Sequence, residues 1–182
     1  AIADNKSVYT THEGLESLRE KILGKMQSFN DVPVSHPEEV MVSAGATGAY
    51  TAAILALCDP GDEVILFEPF YGYHRNLLEV IGVEPQFVKT TGPDWSIDFD
   101  ALEEAITDQT TAVVVNTPSN PTGKVWSRTE LEALVDVLEA HDIYAITDEI
   151  YEYMVYGEHA HISLAALPGP YDRTITISGF SK

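Results

Sequence analysis

Short β-rich runs alternate with segments of helical periodicity along almost the whole chain, and this alternation constrains the fold more than any other feature. Strands are predicted at residues 40–43, 63–67, 83–88, 112–116, 143–147 and 173–177. Helices are predicted at residues 13–29, 49–58, 71–81, 99–106 and 127–140. Strands that alternate with helices over short connections build a mostly parallel sheet, so we predict an α/β fold with three α-β-α layers.

Two local patterns support these assignments. Residues 112–115 are apolar without alternation, which is typical of a central strand covered on both faces. Ser127 and Glu130 have the spacing of an N-cap and its capping box, so they predict the start of the last helix. With 182 residues, of which 45% are hydrophobic, the chain can fill the core of one domain.

The charge of the chain excludes some functions. There are 29 acidic side chains against 10 lysines and arginines, a net charge of −19. We predict no nucleic-acid partner, because too few cations are present to neutralise a run of phosphates. No apolar run approaches the ~20 residues of a membrane span, and no signal-peptide pattern opens the sequence, so we predict no membrane association. The acidity is typical either of an ordinary acidic enzyme or of a surface adapted to a salty cell.

Two other residue types are interpreted as structural. His159 and His161 would share one face of a strand and could bind a metal, but no cysteine or carboxylate pattern completes the site. We therefore predict no metal. The single cysteine, Cys58, lies on an apolar helix and cannot form an internal disulfide, so we expect a core role and a cytoplasmic location.

Ligands of parallel α/β sheets bind beyond the carboxyl ends of the strands, and four polar features fall there. Residues 43–48 form a glycine-rich turn before a helix, where free N–H groups and the helix dipole can bind a phosphate. Residues 116–124 form a proline-rich loop that carries Asn120, while Asp148 and Lys182 each follow a predicted strand. Taken singly, the four are also explained as a tight turn, a self-satisfied loop, an N-cap and a surface charge.

Together the four features match the needs of a pyridoxal phosphate site. Such a site needs an anion cradle, a donor to the ring hydroxyl oxygen, a partner for the ring nitrogen and an amine that forms an imine. The chain resembles the fold type I pyridoxal-phosphate enzymes, specifically the class I/II aminotransferases, over residues 9–182. The motifs that carry the resemblance are Asn-Pro-Thr-Gly at 120–123, Thr-Asp-Glu-Ile-Tyr at 147–151 and Ser-Gly-Phe-Ser-Lys at 178–182.

The resemblance implies roles for the residues of these motifs. Lys182 resembles the lysine that holds the cofactor as an internal aldimine and later moves the proton. Asp148 resembles the aspartate that keeps the ring nitrogen protonated. Asn120 and Tyr151 match the pair that hydrogen-bonds the ring oxygen and lowers the pKa of the imine.

Further site residues are implied outside these four positions. Tyr71 falls where an aromatic ring stacks on the cofactor, and Ala46 and Thr47 match the residues that bind the phosphate at a helix start. Many relatives have a serine three residues before the lysine, where this chain has Gly179. Either of two neighbouring serines is then expected to bind the phosphate, namely Ser178 or Ser181. Tyr9 resembles the tyrosine that reaches the phosphate of a neighbouring subunit, which implies a homodimer.

The activity implied is transfer of an α-amino group from an L-amino acid to a 2-oxo acid, with pyridoxal 5′-phosphate as cofactor. The nearest subgroups are the kynurenine/glutamine-type and the aspartate/aromatic-type transaminases. Two alternatives remain: a carbon–sulfur β-lyase, which shares these cofactor residues, and a non-catalytic phosphate-binding module with a Rossmann-like sheet. The resemblance also implies that residues 1–182 form the large domain alone, without an N-terminal segment and C-terminal small domain. We therefore expect this piece by itself to be inactive.

Overall fold

The centre of the molecule is a five-stranded sheet in which every pair of neighbouring strands is parallel. The computed structural model describes residues 9–182. The strands are β1 Glu63–Glu68, β2 Glu84–Lys89, β3 Thr110–Asn116, β4 Tyr144–Asp148 and β5 Thr174–Ile177. Their order across the sheet is β2-β1-β3-β4-β5.

Five α-helices connect or precede these strands. They are α1 Glu16–Ser28, α2 Gly45–Leu57, α3 Gly72–Ile81, α4 Phe99–Ala105 and α5 Arg128–His141. Three single-turn 3₁₀ helices lie at Pro37–Glu39, Leu164–Ala166 and Tyr171–Arg173. Within residues 9–182, none of the helices has the length and apolar character needed to cross a membrane.

Two apolar cores, one on each face of the sheet, make the molecule three-layered. On one face, Ile54 of α2 and Leu78 of α3 pack with strand residues such as Val114. On the other face, Leu102 of α4 and Leu134 of α5 pack with strand residues such as Val113, whose side chain points away from the first core. Successive strand residues point to opposite faces, so the apolar run of β3 fills both cores. The predicted α/β class with a parallel sheet is confirmed.

Two predictions near the amino end were wrong in detail. Gly14 has φ +102°, outside the helical region, so α1 begins at Glu16 instead of residue 13. A Cβ at Gly14 would lie 2.8 Å from the Cβ of Val42, so the two segments approach closely only because residue 14 is glycine. Residues 40–43 form no strand, and the Val42 N–H donates to the Glu13 carbonyl at 2.9 Å.

The strand order places two loops beside each other at the carboxyl edge of the sheet. The chain runs from β1 outward to β2 and then returns to the other side of β1 to form β3. Connections therefore leave β1 and β3 toward opposite faces, and a crevice forms between their carboxyl ends. The next strand continues this edge, because Asn116 at the end of β3 is in register with Asp148 at the end of β4.

Candidate active site

A cavity of about 300 Å³ opens at the carboxyl edge of the sheet. This volume lies at the lower end of the range of small-molecule sites. The predicted site residues that line it are Ala46, Thr47, Tyr71, Asn120, Asp148, Tyr151, Ser181 and Lys182. Residues separated by more than 130 positions in the sequence thus meet at one place, as the strand-end rule predicts.

The start of α2 forms the anion-binding side of this cavity. Helix α2 begins at Gly45, four residues earlier than predicted, so Ala46 and Thr47 lie in its first turn. The N-cap residue is Ala44, whose methyl side chain cannot accept a hydrogen bond from the helix. The Gly45 N–H donates to the Ser43 carbonyl at 2.9 Å, so the N–H groups of Ala46 and Thr47 and the positive end of the helix dipole are the parts available to an anion.

Asp148 brings a buried carboxylate to the cavity. The residue is only 7% exposed, so its charge needs partners. Its Oδ1 accepts a hydrogen bond from the Ile150 N–H at 3.2 Å. Its Oδ2 lies 3.2 Å from Nε2 of His74, which is itself 3% exposed. These contacts orient the carboxylate at the edge of the cavity, where a cationic ring nitrogen would be a favourable partner.

Asn120 lies in a loop that a few backbone bonds hold in a fixed shape. The Ser119 N–H donates to the Lys124 carbonyl at 2.9 Å, and the Gly123 N–H donates to the Ser119 carbonyl at 2.8 Å. Lys124 in turn forms an ion pair with Glu130 at 2.7 Å, which ties the loop to the start of α5. The loop thus presents Asn120 to the cavity from a restrained backbone.

Lys182 and Tyr151 lie beside each other in the lining of the cavity. The Lys182 Nζ is 5.7 Å from the centre of the Tyr151 ring, within the range of a cation–π contact. Lys182 and Ser181 are exposed, whereas Tyr151 is half-buried. An amine, a phenol and a hydroxyl thus share one edge of the cavity.

Two predicted site residues lie outside the described cavity. The Ser178 hydroxyl donates to Oε1 of Glu152 at 2.6 Å, so it is not free to bind a phosphate, and Ser181 is the better placed of the two serines. Tyr9 is fully exposed at the amino end of the described residues and makes no contact with the cavity of its own chain.

Sequence reasoning missed several residues that line the cavity, most notably His74 and Tyr50. The Tyr50 hydroxyl donates to the His74 carbonyl at 3.2 Å, and the two rings lie 4.6 Å apart. Burial, followed by the nearby Cys58, Tyr73 and Asp148, raises the pKa of Tyr50 well above its ordinary value, so the phenol stays neutral. The sequence could have indicated His74 as a site residue. It follows Tyr71 by three positions on a predicted helix, so the two side chains lie on the same helix face.

His161, considered above as a metal ligand, lies against a buried carboxylate. Its Nε2 is 2.9 Å from Oε2 of Glu149, whose Oε1 accepts a hydrogen bond from Ser163 at 3.0 Å. Glu152 is close enough that one ligand atom from each of the three residues lies within 4.8 Å of the others. Lys25 already contacts both oxygens of Glu152 at 2.5 Å, so a cation is present in this cluster.

These residues fit pyridoxal 5′-phosphate. An uncapped helix start suits the phosphate, the Asp148 carboxylate suits the ring nitrogen, the Asn120 amide and Tyr151 phenol suit the ring oxygen, and the Lys182 amine suits the aldehyde carbon. The Tyr71 ring, 42% exposed and 5.6 Å from the His74 ring, flanks the same cavity. The parallel-sheet fold is that of the fold type I pyridoxal-phosphate enzymes.

Comparison with known proteins narrows this class. Residues 2–182 match the family model for aminotransferase class I and II. The chain belongs to this family, whose members depend on pyridoxal 5′-phosphate.

The similar proteins include both transaminase types that the sequence predicted. Kynurenine–oxoglutarate transaminase 3 of Rattus norvegicus is 37% identical over 192 residues, which cover 100% of this chain and 42% of the relative. A probable N-succinyldiaminopimelate aminotransferase of Mycobacterium tuberculosis is 39% identical over 184 residues, 100% of this chain and 46% of the relative. The solved aromatic aminotransferase of Pyrococcus horikoshii superposes with a TM-score of 0.94 at 34% identity, over 100% of this chain and 49% of that one. The chain therefore spans less than half the length of the curated relatives it matches.

Proposed function

We propose that the full-length protein is a pyridoxal-phosphate-dependent aminotransferase that moves an α-amino group from an L-amino acid to a 2-oxo acid. The observation that carries this proposal is the meeting of Lys182, Asp148, Asn120 and the start of α2 at one cavity. Membership of the class I and II family supports the same reaction, because its curated relatives include several transaminases.

The cofactor, when bound, supplies a protonated ring that accepts the electron pair left behind when the substrate loses its α-proton. Asp148 holds the proton at the ring nitrogen, because a buried negative charge within a few Å stabilises the cationic form. The hydrogen bond from Ile150 and the contact with His74 keep this carboxylate in place. The first-turn N–H groups of α2 hold the phosphate and so orient the ring.

Lys182 moves the proton. Its amine lines the cavity, where it would take up the proton from the α-carbon of a bound substrate and hold it at Nζ. Tyr151 lies beside this amine, with the Nζ 5.7 Å from its ring centre, and helps to keep it at the cavity edge. Tyr71 limits the tilt of the ring by packing against it, which contributes about 1 kcal/mol.

Borohydride trapping and product analysis on the full-length protein test this function. Reduction with borohydride is expected to fix the cofactor on Lys182, and an L-amino acid with a 2-oxo acid is expected to give the exchanged pair in equal amounts. Lys182→Ala should abolish both results. Lys89→Ala is the matched control, because Lys89 is an exposed lysine at the end of β2 away from the cavity.

Two outcomes would contradict the proposal. Release of ammonia and pyruvate without an acceptor would indicate a β-lyase. Absence of any cofactor fixed on Lys182 would indicate a phosphate-binding module instead of an enzyme.

We also propose a homodimer in which Tyr9 completes the phosphate site of the neighbouring subunit. The support is the full exposure of Tyr9 and the family to which the chain belongs. Light scattering is expected to give twice the protomer mass, and Tyr9→Phe is expected to weaken cofactor binding. Tyr156→Phe, which changes another strongly exposed tyrosine, should leave it unchanged. A monomer, or equal effects of the two variants, would contradict this arrangement.

A cytoplasmic location is proposed as well. It is supported by the single cysteine, Cys58, whose pKa burial raises to about 11, with smaller contributions from Asp62 and Asp59. A half-buried thiol with a raised pKa has little thiolate at neutral pH and is therefore a poor nucleophile for disulfide exchange. Fractionation of the source cells tests the location, and recovery of the protein from a secreted or membrane fraction would contradict it.

A further inference from the structure

Asn116 is the last residue of β3, and its side-chain amide joins two parts of the cavity. Its Oδ1 accepts a hydrogen bond from the backbone N–H of Asn120 at 2.6 Å. Its Nδ2 donates to the backbone carbonyl of Asp148 at 2.8 Å. A single side chain therefore contacts the backbone of two residues that face the cofactor cavity from different segments.

The chemistry of these two bonds requires an amide. One partner is a donor and the other an acceptor, so the side chain must offer an oxygen to the first and an N–H to the second. A carboxylate would keep the bond to Asn120 but place a negative oxygen against the Asp148 carbonyl. A methyl group would leave the Asn120 N–H without this acceptor and remove one of the two donors to the Asp148 carbonyl, and an unpaired backbone group is costly where water is restricted.

The two hydrogen bonds of the Asn116 side chain form a bridge between Asn120 and Asp148. The loop that carries Asn120 depends on this bridge because it has few other backbone hydrogen bonds. Pro118 and Pro121 lie within residues 117–121 and have no N–H to donate, which lowers the number of backbone bonds available. The bonds of Ser119 and Gly123 close the loop on itself without reaching the sheet. Asn116 connects the Asn120 peptide to the β4 end, where the Thr117 N–H also donates to the Asp148 carbonyl at 3.1 Å.

We propose that Asn116 is a positioning residue that holds the Asn120 amide and the Asp148 carboxylate at the separation the cofactor ring requires. This inference rests on the proposed function, because it assigns the ring as the group that both residues contact. Positioning of this kind acts through geometry: displacement of either partner weakens its bond to the ring while leaving the other groups in place.

Three measurements on the full-length protein test the bridge with Asn116→Ala and Asn116→Asp. Without cofactor, hydrogen exchange at the Asn120 amide is expected to be at least tenfold faster in Asn116→Ala, and close to wild type in Asn116→Asp, which keeps the acceptor. Both variants are expected to bind pyridoxal 5′-phosphate roughly tenfold more weakly. In Asn116→Ala, the absorbance of the bound cofactor is expected to titrate at higher pH, because a displaced Asn120 no longer donates to the ring oxygen and so no longer lowers the pKa of the imine.

The matched control is Gln86→Ala. The Gln86 amide donates to Oε1 of Glu63 at 2.8 Å, between β2 and β1 at a distance from the cavity, and its loss should change none of the three measurements. Wild-type cofactor affinity and an unchanged titration in a folded Asn116→Ala would overturn the inference. If Asn116→Ala does not fold, Asn116→Asp decides alone, and cofactor affinity equal to wild type would overturn it. Failure of the wild type to bind the cofactor would instead refute the proposed function, while the exchange rates would still report whether the bridge exists.

Discussion

At the scale of single residues, Glu152 joins three segments that lie far apart in the sequence. The residue is 3% exposed and follows β4 by a few positions. It accepts hydrogen bonds from Lys25 of α1 at 2.5 Å, from Asn30 at 2.8 Å and from Ser178 at 2.6 Å. Because Ser178 precedes the lysine segment, this carboxylate fastens that segment to the amino end of the described chain.

Removal of this charge should destabilise the protein and change its response to acid. Glu152→Gln is expected to lower the free energy of unfolding by roughly 3 kcal/mol at pH 7, because it leaves the Lys25 cation without its partner. Burial alone would raise the pKa of Glu152, but hydrogen bonds from Lys25, Ser178 and Asn30 outweigh it and lower the pKa below its ordinary 4.5. The folded state then binds the proton less readily than the unfolded state.

The sign of the pH effect follows from this lowered pKa. The stability that Glu152 contributes is complete above about pH 4.5 and is lost as the pH falls through the lower pKa of the folded state. Urea unfolding of wild type and Glu152→Gln should therefore show a difference that shrinks on acidification. Glu158→Gln, at an exposed position, is the control and should unfold as wild type. A difference that grows below pH 4.5 would contradict the sign.

At position 179 this chain has glycine where many relatives have serine, and the side chain of Ile150 occupies the space beside it. A Cβ at position 179 would lie 2.9 Å from Cδ1 of Ile150. Gly179→Ala is expected to destabilise the fold by about 1 kcal/mol, because the end of the isoleucine must move to avoid the contact. In Ile150→Val, which lacks that carbon, the same change should cost less. A double-mutant cycle by urea unfolding measures this, and strictly additive effects would contradict the explanation.

At the scale of elements, the start of α5 shows local sequence determining local structure. The Ser127 hydroxyl accepts a hydrogen bond from the Glu130 N–H at 3.2 Å, and Oε2 of Glu130 accepts one from the Ser127 N–H at 2.8 Å. The predicted capping box is confirmed. Both partners lie within one turn, so no distant residue is needed to form it.

This cap should have a measurable effect on stability. Ser127→Ala is expected to lower the free energy of unfolding by about 1 kcal/mol, since one first-turn N–H loses its acceptor. Ser28→Ala is the matched control, because the Ser28 hydroxyl donates to the Gly24 carbonyl at the end of α1 and satisfies no helix-start N–H. Chemical denaturation measures both variants, and equal losses would show that the cap has no special role.

At the start of α2, in contrast to α5, tertiary packing and not local sequence determines where the helix begins. Glycines at residues 45 and 48 favour a turn by local propensity, and the predicted helix began only at residue 49. In the structure the helix extends back to Gly45, and Ala46, Ala49 and Ala53 of this helix pack into the core that also contains Ile54. Tertiary burial thus outweighs propensity, and it is this extension that brings the first-turn N–H groups to the cavity.

At the scale of the whole molecule, the net charge of −19 predicts a response to salt. Repulsion among surface carboxylates destabilises the compact state, and salt screens it, because the Debye length falls from about 10 Å at 0.1 M to about 3 Å at 1 M. The thermal midpoint is therefore expected to rise between 0.1 and 1 M KCl. A variant with Asp94→Asn, Glu104→Gln and Asp136→Asn, all at exposed positions, should show a smaller rise. A flat or falling midpoint would contradict salt adaptation.

The sequence by itself determined the class of the fold and most of the cavity residues. Apolar runs, helical periodicity and the cap at Ser127 are local signals, and the carboxyl ends of parallel strands necessarily lie on one edge. These rules were sufficient to bring Asp148, Asn120 and Lys182 together. Only the tertiary structure decided the contacts within that edge. His74 against Asp148, Asn116 between two loops, and Ser178 against Glu152 depend on the register of strands and on which chain segment lies opposite, and no local pattern encodes such distances.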